Sequence, residues 1–160
     1  MLSVYVICVG KLKEKFYREA VEEYTKRLKG YCSLNLIEIP EAKLSQNPSL
    51  GEITAALDKE GDAIRAKIPP SSSVIAMCVE GRQRSSEELA QLVSTWSHNS
   101  AKHLVFLIGG SYGLHPSIKA EAWVQLSMSP MTFPHHLARV MVLEQIYRAF
   151  KINEGSSYHK

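Results

Sequence analysis

Leu104-Val105-Phe106-Leu107-Ile108 is an unbroken apolar run that stops at Gly109-Gly110-Ser111-Tyr112-Gly113. A short apolar run ended by glycines reads as a strand buried on both faces, followed by a tight loop. A second apolar segment, Trp123 to Leu126, leads into Ser127-Met128-Ser129-Pro130-Met131-Thr132-Phe133-Pro134. A long amphipathic run, His135 to Ile152, comes next, then the tail Gly155-Ser156-Ser157-Tyr158-His159-Lys160. Two strand-to-loop junctions close together in one α/β domain point to a small-molecule pocket. A basic, aromatic tail beside them points to a second, larger ligand.

The rest of the chain repeats the same alternation. Leu2 to Val9 is a continuous apolar run with β-branched residues, which predicts a first strand. Lys11 to Lys29 spaces Phe16, Ala20, Tyr24 and Leu28 on one helical face, with Gly30 as its C-cap. Leu34 to Ile39 is a second strand ended by Pro40, and Glu41 to Leu50 a loop. Gly51 to Ile68 has helical spacing, weakened at Gly61. Val74 to Val79 is a third strand. Ser85-Ser86-Glu87-Glu88 starts a helix to His98, because a serine cap and early acids satisfy free N–H groups. His103 to Ile108 and 123–126 are the fourth and fifth strands, and 135–152 the last helix. Such alternation predicts an α/β fold, a mostly parallel sheet with helices on both faces, within a single domain over 1–160.

Composition narrows the function class. The chain of 160 residues is 45% hydrophobic and 22% charged, as soluble globular domains are. No apolar run approaches the roughly 18–20 residues of a membrane span. The basic residues follow the apolar N-terminus instead of preceding it, the wrong order for a signal peptide. Cys8, Cys32 and Cys78 are odd in number and form no C-x-x-C pair, so no zinc site or disulfide framework is expected. A cytoplasmic location is expected. Net charge is +3, which permits nucleic-acid binding without requiring it.

The loops carry the chemistry. Gly109-Gly110-x-x-Gly113 lacks the first glycine of a dinucleotide fingerprint, since Ile108 stands there. It fits close backbone approach to a ligand, and a tight turn equally well. Glu80-Gly81-Arg82 follows the third strand in the same way. Ligands of open α/β sheets bind beyond the carboxyl ends of strands, so the ends after Val79, Ile108 and Leu126 are candidate pocket walls. The uncharged loop 127–134 suits a flat ring or a buried connection. Leu137, Val140, Met141, Ile146, Tyr147 and Phe150 give the last helix a broad apolar face, core in part and a dimer contact in part. Arg139, Glu144 and Arg148 read by default as surface ion pairs. His135-His136 has no further ligand at metal spacing, so no metal is expected. Tyr158-His159-Lys160 could stack on a base and touch phosphate.

Together these motifs resemble a known family. Phe106 to Leu114, Leu126-Ser127-x-Ser129-x-Met131-Thr132-Phe133-Pro134-His135, Arg139-Val140-x-x-x-Glu144-Gln145-Ile146-Tyr147-Arg148-Ala149 and Tyr158-His159-Lys160 are similar to the RlmH family. Val9 to Glu14 and Leu36 to Pro40 extend the likeness to nearly the whole chain. That family comprises bacterial pseudouridine N3-methyltransferases of 23S ribosomal RNA, within the SPOUT superfamily. The resemblance implies one SPOUT domain with a C-terminal trefoil knot, S-adenosyl-L-methionine as cofactor, a homodimer, and action on the assembled ribosome. Carried over by position, the cofactor residues are Met77, Gly109, Met128, Ser129, Pro130, Met131, Thr132 and Phe133. The chain departs from the family pattern at Cys78, Arg82 and Ser157.

For the chemistry, Tyr158 and His159 are expected to hold the target base, and Arg139 to stabilise negative charge developing on it. The competing readings are a SPOUT enzyme acting on another RNA, such as transfer RNA, and a non-enzymatic RNA-binding module of the same fold. A Rossmann oxidoreductase fits least, because the glycine spacing is wrong.

Overall fold

The computed structural model describes all residues, 1–160. Five parallel strands form one sheet in the order β2-β1-β4-β3-β5. They are β1 (Leu2–Val9), β2 (Cys32–Ile39), β3 (Ser72–Gln83), β4 (His103–Ile108) and β5 (Val124–Ser127). The helices are α1 (Lys15–Leu28), α2 (Leu50–Arg65), α3 (Ser86–Ser97), α4 (Pro116–Glu121) and α5 (His135–Asn153). A single 3₁₀ turn, Ser157–His159, ends the chain.

Why the strands are apolar throughout is plain from their two faces. Side chains alternate across a strand. Val4, Val6, Cys8, Leu104, Phe106 and Ile108 point to one side, into a core completed by α1, α3 and α5. Ile7, Val9, Val105 and Leu107 point to the other, against Ile64 of α2 and Ile118 of α4. Both faces are covered, so neither set can be polar. Burial pushes the Cys8 thiol up to about 12 and the Cys32 thiol to about 11, so both act as small hydrophobes.

Local signals set the helix starts. Ser85 Oγ accepts the Glu88 N–H at 3.1 Å, and Glu88 accepts the Ser85 N–H at 2.7 Å. Ser49 and Glu52 make the same reciprocal box at the start of α2. Some expectations shift. Helix α1 begins at Lys15, which leaves Phe16 exposed in its first turn. Gly30 does not take the left-handed conformation expected of a C-cap glycine; Gly155 after α5 does, at φ 74°. Helix α4 is an element the sequence reading lacked, six residues opened by Pro116.

Arg139 requires the largest correction. It is 3% exposed, not a surface residue. Its Nη1 donates to Glu38 Oε2 at 2.7 Å and its Nη2 to the Gly10 carbonyl at 2.9 Å. Glu38 also accepts the Leu12 N–H at 2.9 Å. The guanidinium thus ties α5 to the ends of β1 and β2. Two of its donors are thus engaged within the fold, and the surface ion-pair reading is corrected.

Burial alone would raise the Glu38 carboxyl, but the Arg139 and Leu12 hydrogen bonds outweigh it and hold it below its ordinary value. A depressed carboxylate stabilises the fold above that ordinary value and stops doing so as pH falls through its folded pKa. Arg139→Ala should cost about 2–4 kcal/mol, because one charge loses its partner while Glu38 keeps some access to water. Urea midpoints should show this loss at pH 7. The difference between variant and parent should shrink in acid, as Glu38 protonates. An equal difference at both pH values would refute the clamp.

Candidate functional site

Two strands, β4 and β5, end beside the point where the regular pairing of β3 breaks off. Met77 of β3 pairs with Ile108 of β4 on one side and Leu126 of β5 on the other. Beyond this row lies a cavity of about 660 Å³, of the size that holds a small-molecule cofactor. The end of β3, the glycine loop, loop 128–134 and the start of α5 form its walls. It sits where ligands of parallel α/β sheets are expected, beyond the carboxyl ends of the strands.

Beside the cavity β3 makes a wide bulge. Met77 and Arg82 both register with Leu126, so residues 78–81 are extruded between them. Gly81 permits it. A Cβ there would stand 2.8 Å from the backbone of Gln125 and Leu126. Cys78 lies on this bulge, half-buried, not in the sheet core.

The glycine loop closes on itself. A Cβ on Gly109 would stand 2.4 Å from the carbonyl carbon and oxygen of Gly113. Gly110 and Gly113 form an isolated bridge, and Gly113 has φ 76°. Glu41 then fastens the loop, accepting from the Ser111 N–H at 3.2 Å and Ser111 Oγ at 3.0 Å. At Gly109 the tight-turn reading describes the structure: the missing side chain makes room for the loop's own backbone. The outcome is a fixed rim to the cavity.

Loop 127–134 is also held by its own serines. Ser127 Oγ donates to the Ser129 carbonyl at 3.1 Å, and Ser129 Oγ accepts the Met131 N–H at 3.0 Å. This turn brings Met128, Ser129, Met131, Thr132 and Phe133 to the cavity wall, with Met77 and Gly109 opposite. Pro130 is the exception. It is exposed at the outside of the turn and does not line the cavity. The walls offer apolar surface and backbone groups with little charge, which suits a heterocycle and a ribose. His135 also lines the cavity, and burial, with His136 beside it, lowers its pKa, favouring a neutral ring.

The tail is docked, not free. Tyr158 Oη donates to Glu144 Oε2 at 3.1 Å, and the Arg148 guanidinium stands 4.8 Å over the Tyr158 ring. Burial and the Glu144 carboxylate raise the Tyr158 pKa, so the phenol remains a donor. His159 Nε2 meets Glu87 at 2.6 Å, and its Nδ1 meets Arg148 at 3.3 Å. Arg148 can only donate, so Nδ1 accepts and Nε2 carries the proton toward Glu87. The His159 bond holds the Glu87 carboxyl down to about 2. The cation beside the tail is therefore Arg148, not Arg139. Its signal was the four-residue spacing from Glu144, read as a surface pair. Glu144 also lines a second cavity, of about 510 Å³, which shares Met77, Leu126, Met128 and Val142 with the first.

A family model described as "Predicted SPOUT methyltransferase" matches residues 2–159. The chain belongs to the SPOUT methyltransferase family and is a methyltransferase. Members of that family generally use S-adenosylmethionine and act on RNA. No group of three or more His, Cys, Asp or Glu is placed to hold a metal ion. No helix is long and apolar enough to cross a membrane.

Gly109→Ala tests the rim. The added methyl cannot fit against Gly113, so the loop must open. Binding of S-adenosylhomocysteine, measured by calorimetry, should weaken on the order of tenfold, with a lower melting temperature. Unchanged binding would show that the closed loop does not shape the site.

Proposed function

We propose that this chain transfers a methyl group from S-adenosyl-L-methionine to N3 of a pseudouridine in 23S ribosomal RNA, on the assembled ribosome. The observation that carries this reading is the juxtaposition of two features. A largely apolar cavity lies beyond β3, β4 and β5, and an ordered Tyr–His tail neighbours it across the Glu144 cavity. Family membership supports the methyl transfer, and the sequence resemblance supports the particular base.

In this reading Met77, Gly109, Met128, Ser129, Met131, Thr132 and Phe133 hold the cofactor, Pro130 shaping the turn from outside. The cofactor supplies an electrophilic methyl on its sulfonium. The protein's own task is placement, since orientation accounts for much of such a rate. Tyr158 presents a protonated phenol and His159 a ring fixed by Glu87 and Arg148, two polar groups for the edges of a flipped base. Arg148 supplies the positive charge that favours loss of the ring N–H proton. The whole chain acts as one SPOUT domain, its C-terminal part forming a trefoil knot.

The working unit in this proposal is a homodimer. Helix α5 buries Leu143, Ile146 and Ala149 inward yet keeps Leu137, Val140, Met141 and Tyr147 half-buried on its other sides. A second subunit would cover them. A net charge of +3 is small for gripping RNA alone. An assembled particle spreads the contacts over more surface.

Removal of residues 157–160 separates the two halves of the site. Transfer of labelled methyl to unmethylated ribosomes should fall by about a thousandfold or more, while S-adenosylhomocysteine binding stays within about threefold. Full transfer by the shortened chain would reject the tail's role. Transfer to protein-free RNA as fast as to ribosomes would reject the assembled particle as substrate.

A further inference from the structure

Only two side chains with formal charge line the 660 Å³ cavity, Glu80 and Lys119, and they are hydrogen-bonded to each other. Neither belongs to the cofactor set that the family resemblance implies. Glu80 arrives there through the β3 bulge, within the extruded residues 78–81. Bulges commonly re-aim a side chain beside a functional site. Lys119 comes from the last turn of α4, where Gln125 Nε2 donates to its carbonyl at 3.0 Å. Its side chain is 23% exposed, against 55% for Glu80. The ammonium is thus largely withdrawn into the wall, with the carboxylate nearer the mouth.

As a stability device this pair has little value, because partly exposed ion pairs contribute little. As a recognition device it matches a definite chemistry. A charged group entering an apolar cavity loses water and needs a partner of opposite sign. The amino-acid end of S-adenosylmethionine brings one ammonium and one carboxylate. The cavity offers one of each, side by side, and no third charge to compete.

We propose that Glu80 and Lys119 receive the α-ammonium and the α-carboxylate of the cofactor, and so select for its amino-acid end. The assignment rests on the cofactor reading above and adds the part of the ligand that the uncharged loops leave unpartnered. In this structure the two side chains satisfy one another. With ligand bound, each turns to the opposite charge of the zwitterion.

Two ligands divide the question. S-adenosylhomocysteine carries the amino-acid end, and 5′-methylthioadenosine lacks it but keeps adenine, ribose and sulfur. Calorimetric titration of the full chain should show Lys119→Met weakening S-adenosylhomocysteine about tenfold, the loss of one charge-assisted contact. Its affinity for methylthioadenosine should stay within about twofold. Glu80→Gln should act in the same selective way, and Lys119→Arg should keep most of the affinity. Equal weakening of both ligands, or none for S-adenosylhomocysteine, overturns this proposal alone. Failure of the unaltered protein to bind either ligand overturns the cofactor reading, and this proposal with it.

Discussion

Backbone packed on backbone at the carboxyl ends of three parallel strands is the constraint on which the site depends. Gly81 lies against Gln125 and Leu126, and Gly109 against Gly113, with no room for a Cβ at either place. The first contact lets β5 pair with β3 on both sides of a bulge. The second turns the chain sharply out of β4. Together they leave Met77, Ile108 and Leu126 in one row and put three loops around the space beyond it. The polar fastenings are secondary to this. Glu41 on Ser111 and the serines of loop 127–134 fix loops whose paths the backbone contacts already define.

Much of the fold was legible because its signals are local. Val4, Val6 and Cys8 alternate with Ile7 and Val9, so a run apolar at every position has both faces covered. The Ser85–Glu88 box and the strand His103–Ile108 fall where the sequence puts them. Helix α4 was missed because six residues after a proline show no period. The β3 bulge was missed because it exists only in relation to β5, more than forty residues later. Arg139 was misread for a similar reason. Nothing near it in sequence announces Glu38 and Gly10, its partners across the fold.

The site was legible in part. Glycine after a strand marked the right loop, but its reason is the loop's own closure. The positions carried over from the resemblance line one cavity, Pro130 excepted. Spacing alone does not tell an ion pair on a helix surface from one that supports a neighbouring tail, so the contribution of Arg148 waited for the structure. The cavity and the tail differ in kind: one is a largely apolar recess with a single ion pair in its wall, the other a network of titratable and aromatic groups on α3 and α5. That division matches a reaction in which one ligand brings the reactivity and the other must be positioned against it.

The product nucleoside tests the central claim most directly. Ribosomes lacking the modification would be treated with the protein and S-adenosylmethionine, the large-subunit RNA digested, and the nucleosides resolved by mass spectrometry with fragmentation. The account predicts a single new species, pseudouridine carrying the methyl on N3 of its ring. A methyl on ribose, or on a base other than pseudouridine, would contradict it.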